Sequence, residues 1–256
     1  MRGRQKASTA DQKRVGQVSD FLTLGFRDYL AARVLLNTRL PLQGSALAST
    51  CVEKYFKAIL AFHGNARRGH LCSSLVRAVA NVDRGLMSSL SPSFLVLLER
   101  CYQRRYQDGI GPGYNLSISA REVLAELDFT VAHVESKLTL SRQDGRLLGR
   151  YRELAAQRDP RLFANNHVLA KQSREEFLAA PDFVYEIRLT EERGLIEAEY
   201  SIRSSPTDRD FLRAGLAPIP AGAGPVVSYQ LALGKKGNLF TPEGGDSPPV
   251  PAKGEG

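Results

Sequence analysis

At 256 residues the chain has length for one large domain or two small ones, and its 43% hydrophobic and 24% charged content is ordinary for a soluble globular protein. No apolar run reaches the roughly 18 residues of a transmembrane helix, which excludes that class of protein, and the basic residues 1–14 lack the apolar stretch of a secretory signal, so a cytosolic location is expected. A net charge of +8 favours a polyanionic partner, although Arg2, Arg4, Lys6, Lys13 and Arg14 would serve equally well in a solubilising tail.

Residues 1–17 are polar and basic without hydrophobic period, and an unstructured arm is expected there. Ser19 and Asp20 offer a helix cap before Leu22, Phe26, Tyr29, Ala32 and Leu36, which recur at helical spacing. Pro41 ends that helix, and a second follows to about His63 with Ala48, Cys51, Val52, Tyr55, Phe56, Ile59 and Phe62 on its inner side. Gly64 stops it, and the short turn between the two makes them antiparallel. A third helix is predicted from near His70, carrying Leu71, Leu75, Val76 and Val79. A fourth starts at Ser91-Pro92, cap then proline. The glycine-rich segment 109–115 reads as a loop, and Ser119 caps a fifth helix with Glu122 placed for a capping box. Its apolar line is Val123, Leu127, Val131, Val134 and Leu138.

Residues 18–140 therefore read as a closed antiparallel bundle. Residues 141–180 are charged and helical in pattern, broken at Asp159-Pro160. From Asp182 the period becomes two, giving a hairpin with its turn at Glu192-Arg193-Gly194, and a third strand is expected over 226–233. The predicted organisation is mainly α: a helical bundle (18–140), then a smaller α+β region with a β-hairpin (141–241), then a disordered tail (242–256). So small a set of strands must pack on helix, on a partner or across a dimer. The hairpin edge and a bundle face both need covering, which predicts a homodimer.

The three cysteines, Cys51, Cys72 and Cys101, fall on apolar faces, are odd in number and lack metal-ligand spacing; buried thiols and no metal are expected. No P-loop, dinucleotide, Ser-His-Asp or His-Glu-x-x-His pattern occurs, and no cofactor is expected.

A set of small motifs does stand out. Asp28, Ala31, Ala32, Arg33, Leu35 and Leu36 lie on the first helix and Glu53, Lys54, Lys57 and Ala58 on the second. His70-Leu71 with Cys72 opens the third, and Arg105-Tyr106-Gln107-Asp108 ends the fourth. In order and spacing residues 18–140 resemble the HEPN domain, the higher-eukaryote and prokaryote nucleotide-binding family. That resemblance implies an antiparallel helical bundle and one of two roles. Many HEPN proteins are metal-independent ribonucleases whose site is an arginine followed a few residues later by a histidine, near the start of the last bundle helix. Two such sites meet across a dimer, where histidine moves a proton and arginine steadies phosphate charge. Others lack the pair and are binding partners, often encoded with a nucleotidyltransferase-like protein.

Between Arg104 and Arg121 there is no histidine. Only Arg161 and His167, with Asn165 and Asn166 between them, have the required spacing, and they lie beyond the bundle after Pro160. The expected function is thus a HEPN-type protein that binds RNA, a nucleotide or a nucleotidyltransferase-like partner without its own catalysis. A metal-independent ribonuclease using Arg161 and His167 and a dimeric protein-interaction adaptor are the alternatives.

The candidate binding residues are Arg67, Arg68, His70, Arg104, Arg105 and Tyr106. Each has two readings. His70 either bonds a loop carbonyl at a helix start or ligates phosphate beside Arg67 and Arg68. Arg104, Arg105 and Tyr106 either form a solvated helix end or pair phosphate contact with base stacking. Glu53 and Lys57 have the spacing of a surface ion pair, yet Glu53 is also placed to meet a bundle arginine such as Arg33 or Arg105.

Overall fold

The computed structural model describes residues 9–105, 114–138, 140–141, 147–190, 194–213 and 227–231. The first helix, α1 (Thr9–Asn37), starts well before the expected cap, so Ser19 and Asp20 lie inside it and residues 9–17 are helical rather than unstructured. Ala10, Gln12, Lys13, Arg14 and Gln17 are good helix formers, Arg14 bonds Asp11 one turn back at 2.9 Å, and Val18 is already in the core. Polarity there marks a solvated helix surface.

The second helix, α2 (Pro41–Phe62), opens with proline at its first turn, and Gly64 takes a positive φ of 74° just past its end. Gly44 is required by close approach: a Cβ there would sit 2.7 Å from Leu36 Cγ on α1. Lower down, Asp28 accepts from Thr50 Oγ1 at 2.7 Å and pairs with Lys54, so α1 and α2 are tied along their length.

The third helix, α3 (Ser73–Val82), begins three residues after His70. A short α4 (Arg84–Ser89) follows, capped by Asp83, which no periodicity announced. Ser91 caps α5 (Pro92–Gln103) by accepting from Phe94 N, with Pro92 in the first turn as expected.

Strand β1 (Asn115–Ser119) was not anticipated. Its five residues are too few to display an alternation, and Ser119 also caps α6 (Ala120–Lys137). Glu122 does not close the capping box; its carboxylate is gripped by Arg213 at 2.8 and 2.9 Å. After a two-residue ladder, β2 (Leu140–Ser141) with β3 (Leu147–Leu148), come α7 (Arg150–Ala156), α8 (Pro160–Phe163) and α9 (Arg174–Leu178).

The predicted hairpin is β4 (Asp182–Thr190) with β5 (Gly194–Ile202), and β6 (Val227–Leu231) falls within the expected third strand. All four long strands form one antiparallel sheet in the order β1-β4-β5-β6, with Leu116 opposite Ile187 and Ile118 opposite Tyr185. Both edges of the hairpin are therefore paired within the chain, and β1 and β6 are the edge strands of the described sheet.

The fold is mainly helical with a small sheet, as expected. Its core does not stop at residue 140: one cluster runs from Val18 through the bundle to Leu162, Phe177, Tyr185, Ile187 and Phe211. Segment 205–213 is strapped over α6. Arg209 bonds Glu126 at 2.6 and 2.9 Å, and the Phe211 ring lies 5.2 Å from that of Phe94. Among the described residues no helix is long and apolar enough to cross a membrane.

Candidate functional site

The irregular segment 65–72 joins α2 to α3 and exposes Arg67, Arg68 and His70. Lys57 on α2 pins it by donating to Gly69 O at 2.6 Å while bonding Glu53 Oε1, also at 2.6 Å. His70 then leans on α5: its ring centroid is 4.9 Å from that of Tyr102, and Nδ1 lies 3.2 Å from the Tyr102 hydroxyl and 3.3 Å from Glu53 Oε2. Two-thirds of the His70 side chain remains exposed, and Nε2 has no partner among the described residues. With Nδ1 held from behind, Nε2 can exchange a hydrogen bond with an incoming phosphate or sugar oxygen. Glu53 makes the ion pair with Lys57 that their spacing predicts and adds His70; the alternative partners, Arg33 and Arg105, are not bonded to it, because Glu53 faces the α2–α3 connection rather than α1.

Arg105 lies beyond the end of α5 with its guanidinium 5.0 Å from the Tyr102 ring centroid. One aromatic side chain thus joins His70 and Arg105, and Arg67 and Arg68 are exposed on the segment that carries His70. Tyr102 reads from sequence as an apolar helix position. Its signal as a site residue was its place one turn before two arginines. Tyr106 and residues 109–113 of the glycine-rich segment lie outside the described residues, and its last residue, Asn115, begins β1.

Behind this face, between the start of α2 and the end of α5, is a cavity of about 360 Å³ lined by Leu42, Gln43, Ala46, Leu47, Cys101, Arg104 and Arg105. A second cavity, about 330 Å³, lies between α3, α4 and α5 and is mostly apolar, with Leu71, Cys72, Leu90 and Leu95 in its wall beside Arg77 and Glu99. Cys51 and Cys101 are buried as expected, but Cys72 is only partly covered. It occupies the extended cap position of α3, where Ser74 Oγ and the Leu75 amide hold its thiol below the usual range.

Arg161 and His167 are not brought together as a catalytic pair. The Arg161 guanidinium faces solvent and chelates Asp159 at 2.7 and 3.0 Å. His167 is buried, stacked on Phe177 at 5.3 Å, with Nε2 3.2 Å from Ala125 O and Nδ1 3.4 Å from Gln172 O. Asn165 and Asn166 bond α1 through Asn37 and Tyr29. The segment's polar residues are therefore spent on joining it to the bundle.

Its main tie is Arg33, wholly buried, which donates to Asp128 on α6 and to the carbonyls of Ala164 and Arg161. Tyr29 adds a 2.7 Å bond to Asp128. Burial alone would favour an uncharged guanidinium, but Asp128 and Tyr29 outweigh it and keep Arg33 protonated. Asp128 was missed in the sequence because it sits inside the apolar line of α6.

Among the described residues no cluster of His, Cys, Asp and Glu is arranged to hold a metal ion. Comparison with protein-family models, curated proteins and solved structures finds no match in any of the three.

Proposed function

We propose that this chain is a HEPN-type binding module that holds RNA through its phosphates on the face formed by segment 65–72 and the end of α5, without cleaving it. The observation that carries this reading is the contact of His70 and Arg105 with the partly exposed Tyr102 ring, with Arg67 and Arg68 exposed on the segment that carries His70. Guanidinium groups are well matched to phosphate oxygens. The net charge of +8 supports the same partner at longer range. The absence of catalysis rests on Arg161 and His167, whose side chains face solvent and core respectively.

The test is binding of labelled single-stranded RNA across a salt series in EDTA, with the RNA recovered and sized afterwards. Affinity should fall steeply with salt, by about 0.7 in the log-log slope for each phosphate neutralised. Arg67→Ala with Arg68→Ala should lower both the affinity and that slope, the slope by about one to two. Binding indifferent to salt, or no binding, would sink the proposal. Shortened RNA would overturn its non-catalytic part.

A further inference from the structure

The neighbours of His70 decide which of its ring nitrogens carries the hydrogen. Nδ1 lies 3.3 Å from Glu53 Oε2, and Glu53 is itself the carboxylate of an ion pair with Lys57. A carboxylate only accepts hydrogen bonds, so Nδ1 must donate for this contact to be attractive. The Tyr102 hydroxyl, 3.2 Å from the same nitrogen, can accept from it as well. The opposite arrangement, with Tyr102 donating to a bare Nδ1, would set that nitrogen's lone pair against the carboxylate. In the neutral ring Nε2 is therefore the bare nitrogen. Two-thirds of the side chain faces solvent, and Nε2 has no partner among the described residues.

The non-bridging oxygens of a phosphodiester are acceptors too. Neutral His70 meets an incoming phosphate with one acceptor opposed to another, and only the arginines can hold the group. A proton on Nε2 reverses this: the nitrogen becomes a donor, the ring becomes a cation, and Glu53 balances the new charge from behind. Histidine is the side chain that ordinarily changes charge between about pH 5 and 8.

From this geometry we infer that RNA binding at this face takes up a proton at His70, so that the face holds phosphate tightly in mild acid and loosens as pH rises. The inference rests on the RNA-binding reading and deepens it, by adding the regulation of the same site. Linkage fixes the sign: bound phosphate favours the protonated ring, so acid must favour bound phosphate by the same factor. The charged and titratable groups around the ring are few. Glu53 and Lys57 face it from α2, and Tyr102 from α5, with Arg105 on the Tyr102 ring and Glu99 one turn earlier. Its own segment adds Arg67, Arg68 and Cys72, whose thiol is turned to Ser74 Oγ at 3.1 Å.

The experiment follows one labelled single-stranded RNA by fluorescence anisotropy at about pH 5.5 and about pH 8, at constant ionic strength. A nitrogen–proton spectrum of the histidine rings in the free protein is recorded at the higher value. Wild type should bind about tenfold more tightly at the lower pH, the worth of one charged hydrogen bond. Other groups titrate across the same range, Glu122 on α6 among them, its carboxyl pushed up to about 7 by burial. His70→Gln, a change at an exposed position, removes the share of His70 alone and should bind almost equally at the two values. The spectrum, with the His70 signals assigned by their loss in that variant, should place the hydrogen on Nδ1. A hydrogen on Nε2 overturns the inference. So does wild-type binding that ignores pH, or a pH dependence that His70→Gln retains. If RNA binds at neither pH, the broader reading fails and sodium sulfate decides the site alone. Replacing chloride with sulfate at equal ionic strength should then raise the pH at which His70 titrates, and an unmoved titration overturns the inference.

Discussion

Arg33 shows how far a single residue can be read. Its place among Asp28, Ala31 and Ala32 marked it as special, but a motif does not say whether a charge is meant for a ligand or for the core. Here it is the latter: no part of Arg33 reaches solvent, and its donors are divided between Asp128 and two carbonyls of segment 161–164. Removing one partner of such a pair strands the other, so Arg33→Met should destabilise the protein by about 3–5 kcal/mol in urea unfolding. Adding Asp128→Leu should recover part of that loss; no recovery would mean that the carbonyl bonds, not the ion pair, dominate. Glu135 gives a second test. It is nearly enclosed and accepts from the Tyr55 hydroxyl at 2.8 Å, and burial pushes its carboxyl above the ordinary value of 4.5. Because the folded chain then binds the proton more tightly than the unfolded one, this group's contribution is complete below that ordinary value. It is lost as pH rises through the elevated one. Wild type should therefore lose more stability between pH 5 and pH 8 than Glu135→Gln, measured by urea midpoints at both values. Parallel pH profiles would refute the role given to Glu135.

At the scale of elements, most helices were legible because each carries a stripe of core residues and a stop or start signal, as with Pro41, Gly64 and Ser91-Pro92. The exceptions have physical causes. Residues 9–17 extend α1 on propensity without burying a stripe. β1 is too short to show its period, and its partner lies far ahead in the chain. The junction between β1 and α6 depends on Asp182, the first residue of β4. Its carboxylate accepts from Ser205 Oγ at 2.8 Å, from the Arg121 amide at 3.0 Å and from Ser119 Oγ. It thus supplements the cap of α6 from another element and offsets the positive end of that helix. Asp182→Ala should cost about 1–2 kcal/mol, in the range of a lost helix cap, and should speed amide exchange in the first turn of α6. An unchanged exchange pattern there would show that Ser119 caps the helix unaided.

For the molecule as a whole, the sequence separates a bundle from a later region because hydrophobic period changes from helical to alternating near Asp182. Period reports local geometry and is blind to what packs on what. The core joins the two parts through Leu162, Phe177, Leu178, Tyr185 and Ile187, and Arg33 needs acceptors beyond residue 160. A fragment spanning 9–138 should therefore fail to unfold cooperatively and should bind a hydrophobic dye, whereas the full chain should not. A sharp, two-state melt of that fragment would restore the bundle as an independent unit. The candidate site was legible in part for the same reason. Exposed arginines announce themselves, but the His70–Tyr102 contact and the cavity beneath Arg105 depend on how α2, α3 and α5 lie together.

The borrowed strand sets an order of events during synthesis. β1 is made about 70 residues before the end of β4, its only partner within the described sheet. At roughly 5–20 residues per second that is an interval on the order of 4–14 s. Through it, the amides and carbonyls of 115–119 are available to any other extended chain nearby. Transcripts cut short between α6 and β4 would release products with this edge open, so loss of the distal segment would bring self-association as well as lost function.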